Sequence, residues 1–185
     1  MRLEYVTAPY PQLTSPAPRS WLESTFVVDF EEDSVARLRD KFVRAHGGQV
    51  SGRALTDFIS AEVSESKYRG WDVASVAASR LEGDCTEHAV LLAALARSMG
   101  LKARVAVGVA LVSTAAGHAA YGHAWTELEE GGRWVVADAA LPGQQAQVRY
   151  MPLGLLIDEG PGYSLELVRI SNHWVQRVIV LGQAQ

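Results

Sequence analysis

Gly83-Asp84-Cys85-Thr86-Glu87-His88-Ala89-Val90-Leu91-Leu92-Ala93-Ala94-Leu95-Ala96 is the stretch whose reading decides the fold, and it carries the only cysteine of the chain. Gly83 and Asp84 interrupt the backbone. Asp84 suits an N-cap, and Glu87 follows three residues later, the capping-box spacing. An apolar run then continues to Met99, and Gly100 supplies the C-terminal stop. The pattern predicts a buried helix with Cys85 in its first turn. Free backbone N–H groups and the positive end of the helix dipole favour an anion there, so a thiolate in that place is stabilised and nucleophilic.

A lone cysteine is more often a small buried hydrophobe. A nucleophile needs a base, and the base an orienting group. Gly122 to Leu128 and Arg133 to Ala139 read as two strands joined by a turn at Glu129-Glu130-Gly131-Gly132. With the turn centred between Glu130 and Gly131, Glu127 faces Trp134, Trp125 faces Val136 and His123 faces Asp138. Directly opposed residues point to one side of a sheet. His123 and Asp138 then share a face, and a carboxylate beside an imidazole fixes its tautomer and stabilises the imidazolium. With the cysteine helix packed on that face, thiol, imidazole and carboxylate line up. The backbone N–H of Cys85 is one oxyanion-hole donor.

Working outward, residues 1–20 hold Pro9, Pro11, Pro16 and Pro18, which excludes a helix or central strand. They read as an extended arm, with an edge strand over Leu3 to Val6. Trp21 to Phe30 reads as a strand or extended segment. Glu31-Glu32-Asp33-Ser34 opens a helix with Val35, Leu38, Phe42 and Val43 at helical spacing, ended by Gly47-Gly48. A second helix runs from Arg53 to Val63. Ser64 to Gly70 is a polar connection. Asp72 caps a short third helix. Beyond the cysteine helix, Ala103 to Val112 is a strand and Ser113 to Tyr121 a loop. Residues 143–162 read as irregular. Strands over Tyr163 to Ile170 and Trp174 to Leu181 close the chain around a Ser171-Asn172 turn. Helices first and antiparallel strands second give an α+β fold in a single domain spanning 1–185: arm 1–20, core 21–142, C-terminal strands 143–185.

The 185 residues, 48% apolar and 21% charged, are ordinary globular composition. A net charge of −4 argues against nucleic-acid and anionic-membrane partners. A single cysteine makes no internal disulfide, and Met1-Arg2-Leu3-Glu4-Tyr5 has no apolar signal core, so a reducing cytoplasm is expected. Cys85 with His88 is half a metal pair, but no Cys-x-x-Cys or His-x-x-x-His completes it, and no metal or other cofactor is expected. His88, one turn along from Cys85, Trp125 and the loop residue His118 are candidates for substrate contact or support of the site. His46 and His173 read as a helix-end and a turn residue, Trp71 and Trp134 as core or cleft wall, and Glu127, Glu129 and Glu130 as a solvated acidic run.

Gly83 to Ala89, then Gly122-His123-Ala124-Trp125, then Trp134-Val135-Val136-Ala137-Asp138, in that order, resemble the transglutaminase-like superfamily. The resemblance is nearest to its bacterial and archaeal branch, in which the cysteine box leads to a segment like Arg97-Ser98-Met99-Gly100-Leu101. The match covers roughly residues 70–142. It implies Cys85 as nucleophile, His123 as base, Asp138 as orienter and a papain-like core. One departure is Asp138-Ala139-Ala140-Leu141-Pro142, where many relatives continue Asp-Pro or Asp-Ala-Thr. Members crosslink glutamine to lysine, deamidate, cleave amide bonds or have lost activity, so the family alone does not set the reaction. The expected activity is cysteine-dependent acyl transfer or amide hydrolysis through a thioester, on a protein, peptide or other amide-bearing substrate, with hydrolysis favoured. The alternative is a silent binding or assembly module. A redox role lacks a resolving cysteine.

Overall fold

The computed structural model describes residues 10–15, 20–66, 70–114, 117–142 and 148–170, with side chains 114, 117 and 118 outside the description. The sequence expectations for Leu3 to Val6, Ser171-Asn172 and Trp174 to Leu181 lie outside these residues. The cysteine helix, α4 (Cys85–Ser98), is the centre of the molecule. Val90 through Ala96 are fully buried. Around it pack α1 (Asp33–His46), α2 (Gly52–Glu62) and α3 (Ala74–Arg80). Two-residue strands β1 (Ser64–Glu65) and β2 (Glu82–Gly83) pair in parallel beside the start of α4.

Among the described residues, the other side of α4 rests on a four-stranded antiparallel sheet of β3 (Ala103–Thr114), β4 (Gly117–Glu130), β5 (Arg133–Ala137) and β6 (Val148–Leu155), in the order β5-β4-β3-β6. Val105 and Val107 of β3 and Ala124 and Leu128 of β4 join the α4 side chains in the main core. Thr126 on the same face donates its hydroxyl to the Ala89 carbonyl at 2.8 Å. The fold is therefore α+β, with a central cysteine helix packed on an antiparallel sheet.

Several elements depart from the sequence reading. The β4–β5 turn is Gly131-Gly132, both at positive φ (58° and 80°), so Glu130 pairs with Arg133 and Glu127 with Val136. That is the two-residue hairpin geometry glycine permits, and it moves the expected register by two residues. A shift of two keeps every side chain on its face. The segment Ser113 to Tyr121, expected as a loop, mostly extends β3 and β4 into a longer hairpin.

Residues 148–155, expected to be irregular, form β6. Pro152 is tolerated because β6 is an edge strand among the described residues and the register shifts between Val107 and Gly108, opposite it. Gly108 is obligatory there: a Cβ would lie 2.2 Å from the Met151 carbonyl oxygen. Residues 163–170 are a helix, α5, not a strand. Tyr163, Leu167 and Ile170 are buried at helical spacing while Leu165 is 75% exposed. Trp21 to Phe30 is a series of bends, not a strand, although Val27 and Val28 are fully buried. Asp72 does not cap α3. Val73 occupies that place, and Asp29 accepts from the Ser75 N–H at 2.7 Å instead. Val43 of α1 is exposed rather than inward.

Candidate active site

Cys85 sits where the capping box predicts. The Asp84 carboxylate accepts from the Thr86 N–H at 2.8 Å, and Glu87 reaches back to the Asp84 N–H at 2.9 Å. Glu87 also accepts from the Asp72 N–H at 3.0 Å, tying the approach to α3 to the cysteine turn. Burial of Glu87 pushes its pKa up to about 7 against the pull of these two N–H donors. Gly83 is required by this closeness, since a Cβ would lie 2.3 Å from that of Glu87.

β5 ends at Ala137, opposite Thr126, so β4 runs on past it with no strand on that edge among the described residues. His123 lies on that stretch, and Asp138 is the first residue after β5. The His123 Nε2–Asp138 Oδ2 distance is 2.8 Å, with the ring 7% and the carboxylate 1% exposed. Asp138 is further held by the Ala140 N–H at 2.9 Å and the Tyr150 hydroxyl, which donates to Oδ2 at 2.7 Å. Burial opposes ionisation of both partners. The His123 pKa nevertheless rises to about 10, through the Asp138 hydrogen bond, the facing Cys85 side chain and their charges. Asp138 likewise goes below its ordinary value despite burial, because His123, Tyr150 and Ala140 all favour the carboxylate.

Cys85, His123 and His88 line one cleft of about 700 Å³, walled by Val63 and Glu65 on one side and by Gly122 and Ala139 to Pro142 on the other. The helix does not pack on the face that bears His123, as the sequence reading had it. It packs on the opposite face, against Ala124 and Leu128, and the cysteine turn meets the imidazole at the sheet edge left open where β5 stops.

The remaining expected residues divide. The His88 ring Nδ1 lies 2.7 Å from the Asp84 carbonyl oxygen, and the residue is 5% exposed. Trp125 is buried and does not line the cleft. It stacks on His123 with centroids 6.2 Å apart and donates its indole N–H to the Tyr10 hydroxyl at 3.0 Å. His118 pairs through its backbone with Ser113, and its side chain lies outside the description. His46 caps its own helix, 3.1 Å from the Phe42 carbonyl. Trp71 is 43% exposed, not core. Glu127 is not solvated: it is fully buried and pairs with Arg104 at 2.5 Å, its register partner on β3.

Tyr150 and Tyr10 went unrecognised in the sequence. Tyr10 donates to Glu127, so a strap over residues 10–15 covers the His123 face. Gln12 fastens the strap by pairing with both the N–H (2.8 Å) and carbonyl (3.0 Å) of Trp134. No local sequence signal marks either tyrosine. Among the described residues no group of three or more His, Cys, Asp or Glu side chains gathers as metal ligands, and no helix is long and apolar enough to cross a membrane.

A family model described as the transglutaminase-like superfamily matches residues 44–139. The chain belongs to that superfamily. A candidate cysteine protease from Cytophaga hutchinsonii superposes with a TM-score of 0.54 at 20% identity, over 69% of this chain and 43% of that one. A protein described as a TGase follows, with a TM-score of 0.44 at 18% identity, over 60% of this chain and 32% of that one. The periplasmic domain of TgpA from Pseudomonas aeruginosa, bound to ethylmercury, gives 0.41 at 18% identity, over 60% of this chain and 47% of that one. No curated protein sequence matches. The chain spans less than half the length of each of these three structures. The first supports the papain-like core that the element order describes.

Proposed function

We propose that this protein is a cysteine-dependent acyl-transfer or amide-hydrolysing enzyme in which Cys85 is the nucleophile, His123 the acid–base group and Asp138 its orienter. The observation that carries this reading is the His123–Asp138 pair at 2.8 Å, with His123 facing the same cleft as a cysteine in the first turn of a capped helix. Asp138 takes up the Nε2–H of His123, which leaves Nδ1 as the atom able to exchange a proton at the sulfur. An imidazole whose pKa is pushed up to about 10 is mostly protonated at neutral pH, so it stands ready to protonate a leaving amine. The thiolate attacks an amide or ester carbonyl, the Cys85 backbone N–H steadies the oxyanion, and the leaving group departs with the His123 proton. Water or an amine then releases the acyl group from the thioester.

Hydrolysis is favoured, since an amine acceptor needs a shaped second pocket and no sequence feature argues for one. The substrate is a protein, peptide or other amide-bearing molecule. Nucleic acid and membrane are not expected partners at a net charge of −4. The test is to mix the protein with p-nitrophenyl acetate and read intact mass during turnover. The expected result is a gain of one acetyl group that is absent in Cys85→Ala and suppressed in His123→Ala. Acetylation indifferent to both substitutions rejects the assignment.

A further inference from the structure

The two walls of the cleft differ in charge. The wall beside His123 consists of Gly122 and Ala139 to Pro142, and its imidazole is matched by the Asp138 carboxylate at 2.8 Å. The facing wall is built from the connection after α2. There β1 pairs in parallel with β2, Glu65 stands opposite Gly83, and the Ser66 N–H donates to the Gly83 carbonyl at 3.0 Å. This register seats Glu65 on the cleft beside the cysteine turn. Neighbouring strands lie about 4.8 Å apart and a strand rises about 3.3 Å per residue, which puts the Glu65 and Cys85 backbones about 8 Å apart.

Glu65 is exposed and makes no ion pair among the described residues. The other carboxylate of the cleft, Asp84, is committed to the Thr86 N–H at 2.8 Å. No lysine or arginine lines the cleft among the described residues. A carboxylate in a concave site without a counter-cation concentrates positive charge there. The far wall leaves room for it, because a Cβ at Gly122 would meet nothing within 4 Å. We propose that Glu65 is a specificity-determining residue that selects acyl donors bearing an ammonium or guanidinium group near the reacting carbonyl, as in a lysine or arginine residue that itself supplies the acyl group; this rests on the thioester mechanism above. A lysine's four-carbon stem suits the gap between the sulfur and the Glu65 carboxylate. The cation belongs to the donor and not to an amine acceptor, because an acceptor attacks only as the free base and a carboxylate holds it as ammonium.

The test compares two esters on the full chain. The p-nitrophenyl esters of Nα-acetyl-lysine and Nα-acetyl-norleucine differ only in the ammonium group at the end of the side chain. Both report on the same protein, so any loss of folded material cancels from their ratio. In wild type at low salt, kcat/KM for the lysine ester should exceed that for the norleucine ester by about tenfold, and the ratio should shrink as salt is raised. In Glu65→Gln the ratio should fall to about one, and in Glu65→Lys it should invert. A ratio near one in wild type, or a ratio that survives Glu65→Gln, overturns the proposal. If neither ester acylates Cys85 in wild type, the thioester mechanism is rejected instead. The affinity of Nα-acetyl-lysinamide then decides the charge selection by itself: a loss of about tenfold on Glu65→Gln upholds it, and no loss overturns it.

Discussion

The two faces of the β3–β4 hairpin are built on different physics. One face, with Val105, Val107, Ala124 and Leu128, is apolar and closes on the buried flank of α4. The other carries Arg104, Glu127, Trp125 and His123, and is covered by Tyr150 and by the strap at Tyr10 and Leu13. Burial of hydrocarbon makes the first face stable without requiring particular partners. The second must satisfy each polar atom, because a buried charge without its partner is costly. The Arg104 guanidinium meets this demand through Glu127 and by stacking over Trp134 at 4.0 Å, although one of its nitrogens, Nη2, has no hydrogen-bond partner among the described residues. The comparison teaches where a site can be placed: Cys85 comes from an element of the apolar side and His123 from the polar side, and they meet where β5 ends.

The largest effect should come from breaking the polar face. Glu127→Ala strands the Arg104 guanidinium and should cost about 3–5 kcal/mol in urea unfolding. The paired change Arg104→Met with Glu127→Leu should recover most of it, since no charge is then left buried. A double variant as unstable as the single one would show that the ion pair is not what the face depends on. On the apolar face, Leu92→Ala should cost about 2–4 kcal/mol through transfer and cavity terms, and no second substitution across the sheet should repair it. The ratio of Cys85 alkylation rates with and without His123 should be unchanged in Leu92→Ala, because that residue makes no part of the imidazole pair.

These two faces also explain what the sequence made legible. The capping box around Cys85 is local, so Asp84 and Glu87 predict it without knowledge of the rest. The shared face of His123 and Asp138 survived a wrong turn because a two-residue slip preserves parity, while the pairing of Glu127 with Trp134 did not survive it. The burial of Glu127 was illegible: in the sequence it stands beside two other acids, and only the β3–β4 register brings Arg104 opposite. β6 was hidden by Pro152 and Gly154, which read as breakers but sit on an edge beside a bulge. α5 was hidden because eight residues with Leu165 and Val168 between the buried positions fit a strand as easily as a helix.

A smaller prediction concerns pH. Since the folded His123 pKa of about 10 exceeds the ordinary 6.5, the pair's contribution to stability is fully present below about pH 6.5 and lost as pH rises towards 10. Asp138 has the opposite sign: its contribution is present above its ordinary pKa and fades in acid. Thermal unfolding from pH 6 to 10 should fall more steeply for wild type than for His123→Ala. Parallel curves would mean that the pair carries no such linkage. The smallest effect should be that of Tyr150→Phe, which removes one donor to Asp138 and should cost about 1–2 kcal/mol while leaving Cys85 reactive.

The central claim is that His123 activates the thiol of Cys85 across the cleft. The most direct measurement is the rate of alkylation by iodoacetamide at pH 6 to 9, in wild type and His123→Ala. The account predicts that wild type reacts quickly at pH 6 to 7 and that the variant reacts only as pH approaches the ordinary thiol range near 8.5. Superimposable profiles for the two proteins would contradict it.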